Sequence, residues 1–389
     1  MSWDHQKYVD FIKKEAPAAD RSSLLQASSR PFVPKDPPKR GKSPQIFVTY
    51  YSMPDWLDIF SSPPKSKASP NVRLDSRLGK VPFSQMIGEY RHAAQQHQDK
   101  VSALLALIDT FPSGKALLAE LGSTGRSIRI MPYWHYFRTM VGGEYFNSTP
   151  IPVKPRESMS YLADGGLARD YEGAYERNAP VRGDDNEPMP SFGKGTGAGA
   201  NVVLFFSAET WDSKAASEGP GFKADEVLFH ELVHITRMIR GQVTRAKVDG
   251  GGYGNIEEYF ATVITNVYMS DKGQTKLRGL YSNDLIRPNR THVKVGDETI
   301  MVSTDPLPKD WNVMKDPARF FDNVDNLTPP PRDLMQIFKA KQTDFYLALA
   351  HLPEIRPTFN PVGRHFRATL QPAVTPTKAN VPTARPKRP

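Results

Sequence analysis

The chain has 389 residues, a formal net charge of +9 and no cysteine. Its length suits one large domain or two ordinary ones. The missing cysteine excludes a disulfide framework, a Cys-ligated metal site and a cysteine nucleophile. No apolar run reaches the roughly 18 residues of a membrane-spanning helix; the run 202–206 has the length of a strand. The first residues, MSWDHQKYVDFIKKEAP, scatter charges and hold no apolar h-region, so export by a Sec signal peptide is not expected. From Arg364 onward there are six basic residues and no acid, and Lys35, Lys39, Arg40 and Lys42 form a second basic cluster. Both lie among prolines. A nucleic-acid-binding face interleaves its charge with aromatics on a folded surface, so the reading is solubility and linker, with no specific nucleic-acid partner.

In chain order, residues 5–15 read as a weak helix and the remainder to 44 as a polar, Pro-rich segment. IFVTYYS reads as a strand, and SSPPKSKASP as a linker. From Phe83 the pattern turns helical, with Met86, Tyr90, Ala93 and His97 on one face and an apolar continuation to Ile108. A second helix starts near Ser113 and is stopped by Gly122, and SIRIMPYW alternates as a strand. Residues 139–199, rich in Gly, Pro, Asn and Asp, read as long loops of the kind that carry function. NVVLFFS (201–207) is a buried strand, expected at the edge of the sheet beside the cleft. Beyond Asp271, HVKVGDETIMVS is a hairpin turning at Gly296-Asp297. A helix is expected over about 332–351, and Pro and basic residues follow 357.

The helix with chemistry is ADEVLFHELVHITRMIRG, with Asp225 expected as its N-cap and Gly241 as its stop. It holds His230-Glu231-Leu232-Val233-His234. Histidines at i and i+4 share one helical face, so both imidazoles can reach one ion at about 2.0–2.1 Å. Glu231, next in sequence, can take a proton from a water at the open position and return it to a leaving amine. Residue frequencies in this chain give an H-E-x-x-H match by chance about one time in a hundred. The motif is flanked by Val227, Leu228, Phe229 and Ile235, so the helix is buried, and a buried His-Glu-His set needs something to satisfy it. Zinc does that, one ion per chain.

A catalytic zinc needs a third protein ligand. Arg237 and Arg240 stand where the metzincin extension would require glycine and histidine, which excludes that pattern. Acids downstream remain. A helix over about 255–269 opens with Glu257 and Glu258. Glu258 is favoured, because Ala261, Thr262 and Thr265 on its side allow close approach to the His helix. Glu257 would then face solvent or the helix dipole. Both glutamates as first-turn acids, and Asp249 in the Gly-rich loop, stay open. Tyr253 in that loop is a candidate donor to an oxyanion. An extended protein substrate would add beside the edge strand. Histidines 5, 92, 97, 135, 292, 351 and 365 show no ligand spacing.

HELVH followed by a helix with EEYFA resembles the gluzincin-type bacterial effector and toxin metallopeptidases. TFPSGKALLAELGSTGRSIRI, NVVLFFS, VLFHELVHITRMIRG and IEEYFA together are similar to NleD-like effector peptidases, over roughly 80–270. The resemblance implies an α+β zincin-like fold with an active-site helix, a glutamate helix and a small mixed sheet. It implies Glu258 as third ligand, and an endopeptidase that cuts a target-cell protein. Delivery would be by a specialised route, with a secretion-system or chaperone partner and a cytoplasmic stage before export. The expected organisation is a flexible Pro-rich region (1–75), the metallopeptidase domain (76–275), an extension with hairpin and helix (276–360) and a disordered basic tail (361–389).

Overall fold

The computed structural model describes residues 29–35, 44–50, 83–132, 149–152, 181–182, 188–189, 197, 199, 201–206, 208, 219–244, 246–279, 290–295, 298–303, 312–353 and 358–370. The expected helix at 5–15 and most of the 139–199 segment lie outside them. The strands are β1 (Ser29–Pro31), β2 (Gln45–Thr49), β3 (Ser127–Met131), β4 (Thr149–Pro152), β5 (Val181–Arg182), β6 (Pro188–Met189), β7 (Val202–Phe205), β8 (Lys247–Val248), β9 (Gly254–Asn255), β10 (Arg290–Val295) and β11 (Glu298–Ser303). The helices are α1 (Phe83–Asp109), α2 (Pro112–Gly122), α3 (Ala224–Met238), α4 (Ile256–Asp271), α5 (Pro331–Lys341), α6 (Thr343–Ala350) and α7 (Pro361–Leu370). A short 3-10 helix spans Pro317–Asp322. The architecture is mixed helix and small sheet, and no single described helix is long and apolar enough to cross a membrane.

The central sheet has the order β1-β2-β3-β7-β4. Strands β2, β3 and β7 run parallel, with β1 and β4 antiparallel on the two edges. Parallel neighbours need a crossover, and α1 with α2 supplies the one between β2 and β3. The strands of the Pro-rich N-terminal region, β1 and β2, are therefore part of the sheet.

β7 is not an edge strand, contrary to the sequence expectation, because β4 covers it. Phe206 N–H donates to Met131 O on the β3 side. Alternation then turns Val203 and Phe205 toward β4, where their partners are Ile151 and Thr149. Pro150 and Pro152, which lack an N–H, fall on the open side. That placement is where a strand tolerates proline, and it leaves the open edge with carbonyls but no amide donors at those positions.

The core is continuous from Phe32 to Val362. α3 is buried along its whole length, and it packs on α4, α1 and α2. Phe229 of α3 stacks on Tyr268 of α4 with ring centroids 4.3 Å apart. Ala261, Thr262 and Thr265 of α4 are fully buried, as their small size led one to expect.

Two C-terminal expectations are corrected. The helix read over 332–351 is two helices, α5 and α6, broken at Gln342 (φ −134°, ψ 58°). The Gln342 amide is buried and donates to Glu120 Oε1 (3.1 Å) and Thr236 Oγ1 (2.9 Å), contacts that hold the chain out of helical geometry there. The stretch 361–370, read as disordered tail, is the helix α7, with Pro361, Val362 and His365 buried against the rest. Its first-turn proline suits a helix start. The tail beyond 370 lies outside the described residues. The hairpin is as expected, β10 pairing β11 with Val295 opposite Glu298.

Candidate metal centre

α3 carries Asp225, Glu226, His230, Glu231, His234 and Arg237, all buried. Buried charges must be paired or hydrogen-bonded, and each end of the helix is. At the N-terminal end Asp225 does not cap, contrary to the sequence expectation; Lys223 holds the N-cap position. Its carboxylate turns inward, accepts from the Tyr268 phenol (2.7 Å) and pairs with Lys272 Nζ. Glu226 closes the start instead, accepting from Gly221 N (3.0 Å) and Lys223 N (3.4 Å). At the other end Gly241 adopts φ 61°, a left-handed conformation that favours glycine after a helix, as predicted.

In the middle, His230 and His234 face α4. Their rings lie one helical turn apart, with centroids 4.9 Å apart and planes at 83°. Asn255 caps α4 by accepting from Glu258 N (3.1 Å). This first turn brings Glu258 Oε2 to 3.3 Å from His230 Nε2 and 3.3 Å from His234 Nε2. These ligand atoms form the one group of three His or acidic side chains among the described residues whose donor atoms all fall within 4.8 Å. The cluster can hold a metal ion.

Two of the three ligand–ligand distances can be compared with a tetrahedral ion. A tetrahedral ion with bonds of about 2.05 Å separates its ligand atoms by about 3.3 Å. Glu258 Oε2 is buried and makes no regular hydrogen bond; the groups it faces are the two His Nε2 atoms. The Glu258 side chain keeps 16% exposure, the most of the three.

Burial disfavours the charged form of His230 and lowers its pKa to about 4, which leaves a neutral ring. His234 is also buried, but the Glu258 carboxylate outweighs that, with help from Glu231 and Glu257, and raises it to about 9. Burial works against the charge on Glu258, yet His234 and His230 hold it well below the usual carboxylate range. Without an ion, the pair His234–Glu258 keeps a proton that a metal would displace.

The remaining candidates separate. Glu231 is buried next to the ligands but stands outside the ligand group, and its charge acts on His234. Glu257 neither faces solvent nor serves only the dipole. It is 5% exposed, and both its oxygens accept from Arg237 Nε. Asp249 is no ligand: its side chain is 58% exposed and paired with Lys247, because the β8 turn points it outward. Tyr253 is drawn into the core rather than onto an open wall, at 1% exposure, with its ring 5.0 Å from Tyr259. Gly251 (φ 58°) allows the loop to fold this tightly; a Cβ there would lie 2.8 Å from the Tyr253 ring. Burial raises the phenol's pKa. Of the histidines without ligand spacing, His97 sits 3.2 Å from Ile130 O and His365 Nδ1 sits 2.7 Å from the Tyr346 hydroxyl, both structural positions.

Sequence spacing did not reveal that Arg237 would pair with Glu257 and reach Gln342 across the core. The available signal was a fixed charge inside an apolar helix, which demands an acid opposite it.

Compared with known proteins, the chain matches no family model, no curated protein and no solved structure.

Proposed function

We propose that the chain is a zinc-dependent hydrolase of the gluzincin kind, acting on peptide bonds. The observation that carries this is the cluster in which Glu258 Oε2 lies 3.3 Å from both His230 Nε2 and His234 Nε2, with a further buried acid, Glu231, next to His230 in the chain. Three protein ligands and a fourth position left open is the composition of a catalytic zinc site, whereas structural sites use four. When bound, the ion would supply a Lewis acid for a carbonyl oxygen and lower the pKa of a water toward neutrality.

The chain's own groups do the rest. His230 and His234 donate from Nε2 and fix one face of the site. Glu258 adds the negative charge that makes a divalent cation favourable in a buried place. Glu231 takes the proton from the attacking water and returns it to the leaving nitrogen, a transfer worth about 10²–10⁴ in rate. The choice of a peptide bond, and of a target-cell protein as substrate, rests on the likeness of HELVH and EEYFA to effector metallopeptidases.

The test is metal content and cleavage together. The purified chain should hold one equivalent of zinc and cleave an unfolded protein such as casein. Glu231→Gln should keep the zinc and lose cleavage by at least about 100-fold. A chain that neither carries nor takes up zinc ends the proposal. A Glu231→Gln variant as active as the parent ends its catalytic part.

A further inference from the structure

Arg237 and Glu257 form the buried charge pair at the end of the α3–α4 junction where α4 begins. Arg237 is 1% exposed and is among the largest fully buried side chains. Its Nε donates to Glu257 Oε1 (2.8 Å) and Oε2 (2.7 Å), its second terminal nitrogen donates to Gln242 O (2.7 Å), and its guanidinium lies 4.9 Å from the centre of the Phe260 ring. Glu257 Oε1 also accepts from Thr244 N (2.6 Å). One buried pair thus joins α3, the 242–244 turn and the first turn of α4.

Its place in the chain matters as much as its contacts. Arg237 is three residues after His234, one helical turn or about 4.5 Å along the axis. Glu257 immediately precedes Glu258. The pair therefore links the turn next to one ligand with the residue next to another. Asp225 ties the far end of α4 to α3 through Tyr268 and Lys272. Toward the Glu258 end the small residues bring the helices together, but apolar contacts tolerate sliding, being non-directional. A guanidinium whose Nε–H is shared by both Glu257 oxygens, and whose terminal nitrogens donate to Gln242 O and Gln342 Oε1 (3.4 Å), does not. A metal site needs its ligand distances within about 0.2 Å, so a slip of α4 by a fraction of a turn would take Glu258 out of reach. Stability alone does not call for this arrangement, since apolar side chains of similar volume serve as well or better in such positions.

Resting on the metal reading above, we propose that the Arg237–Glu257 pair is the positioning element of the metal centre. It sets the height and phase of α4 against α3, so that Glu258 completes the triangle with His230 and His234. Neither residue touches the ion or a substrate; both act through Glu258.

The experiment measures zinc affinity of the full chain by competition with a chromophoric chelator, alongside the melting temperature of the metal-free protein. Glu257→Gln and Arg237→Lys should weaken zinc binding 10- to 100-fold, the usual effect of losing an outer partner of a ligand. Asp271→Asn, at the far end of α4, is a control that lowers stability and should leave affinity within about two-fold of the parent. Should Arg237→Lys fail to fold, Glu257→Gln, equal in volume, carries the test. Variants that melt lower yet bind zinc as tightly as the parent would overturn the proposal and leave the pair a purely structural one. A parent that binds no zinc overturns the metal reading, and this proposal with it.

Discussion

Helix α4 carries Glu258 in its first turn and ends at Asp271, and that end has a consequence for stability. Helix α2 starts with Phe111 as N-cap, which offers no side-chain acceptor, and Pro112, which has no N–H. Ser113 carries the first amide that needs a partner. Asp271 Oδ2 accepts from Ser113 N (2.9 Å) and from Ser113 Oγ (2.7 Å), with both residues buried. Each hydrogen bond to a charged acceptor is worth about 1.5–3 kcal/mol. Asp271→Ala removes both and strands a buried N–H and hydroxyl, so a loss of about 3–5 kcal/mol is expected. That is a large share of the 5–15 kcal/mol typical of a folded domain, by rough proportion. Asp271→Asn keeps an oxygen in place but loses the charge facing the α2 N-terminus, and should cost about 1–2 kcal/mol. Urea unfolding of the metal-free chain at matched slopes reads the difference. An Ala variant within about 1 kcal/mol of the parent, or an Asn variant as damaged as the Ala variant, would refute the capping argument.

Two further outcomes follow from close packing and from burial. Gly114→Ala would set a Cβ 1.8 Å from the Ile108 carbonyl oxygen. The backbone at the α1–α2 corner must shift, so the melting midpoint should fall by an amount equivalent to at least about 1–3 kcal/mol; an unchanged midpoint would show that the corner moves freely. His365, whose Nδ1 is 2.7 Å from the Tyr346 hydroxyl, has its pKa lowered by burial and by Lys339 and Arg332. The unfolded chain therefore takes up this proton more readily than the folded one. Its stabilisation is complete above the unfolded value of about 6.5 and declines as pH falls toward the depressed folded value. Melting temperature against pH from 7.5 to 5.5 should fall less steeply for His365→Phe than for the parent; equal slopes would remove the linkage.

The helical periods of α1 and α2, the alternation of β3 and the apolar run of β7 were all legible, because each reports which side of one element is buried. So was Glu258 over Glu257. Small residues on one helical face say where another helix can approach, and Ala261, Thr262 and Thr265 lie on that face. Other expectations failed where a distant group set the local outcome. Asp225 has the right type for an N-cap but was claimed by Tyr268 and Lys272. Gln342 has ordinary helix propensity but was claimed by Glu120 and Thr236 across the core, and the helix broke there. β4, with two prolines, gave no strand signal; pairing with β7 made it one.

The pairing of His230 with His234 was set by local sequence alone. Two histidines at i and i+4 with a glutamate between them share a helical face whatever surrounds them, because the helix repeat fixes their relation. Only the tertiary structure decided the rest: that Glu258 comes to 3.3 Å from both rings, that Glu257 turns inward to Arg237, and that Asp249 turns out to Lys247. Those outcomes depend on how α3, α4 and the β8 turn meet. Contacts between segments distant in sequence are set by the whole core and by the need to pair every buried charge, which no local pattern encodes.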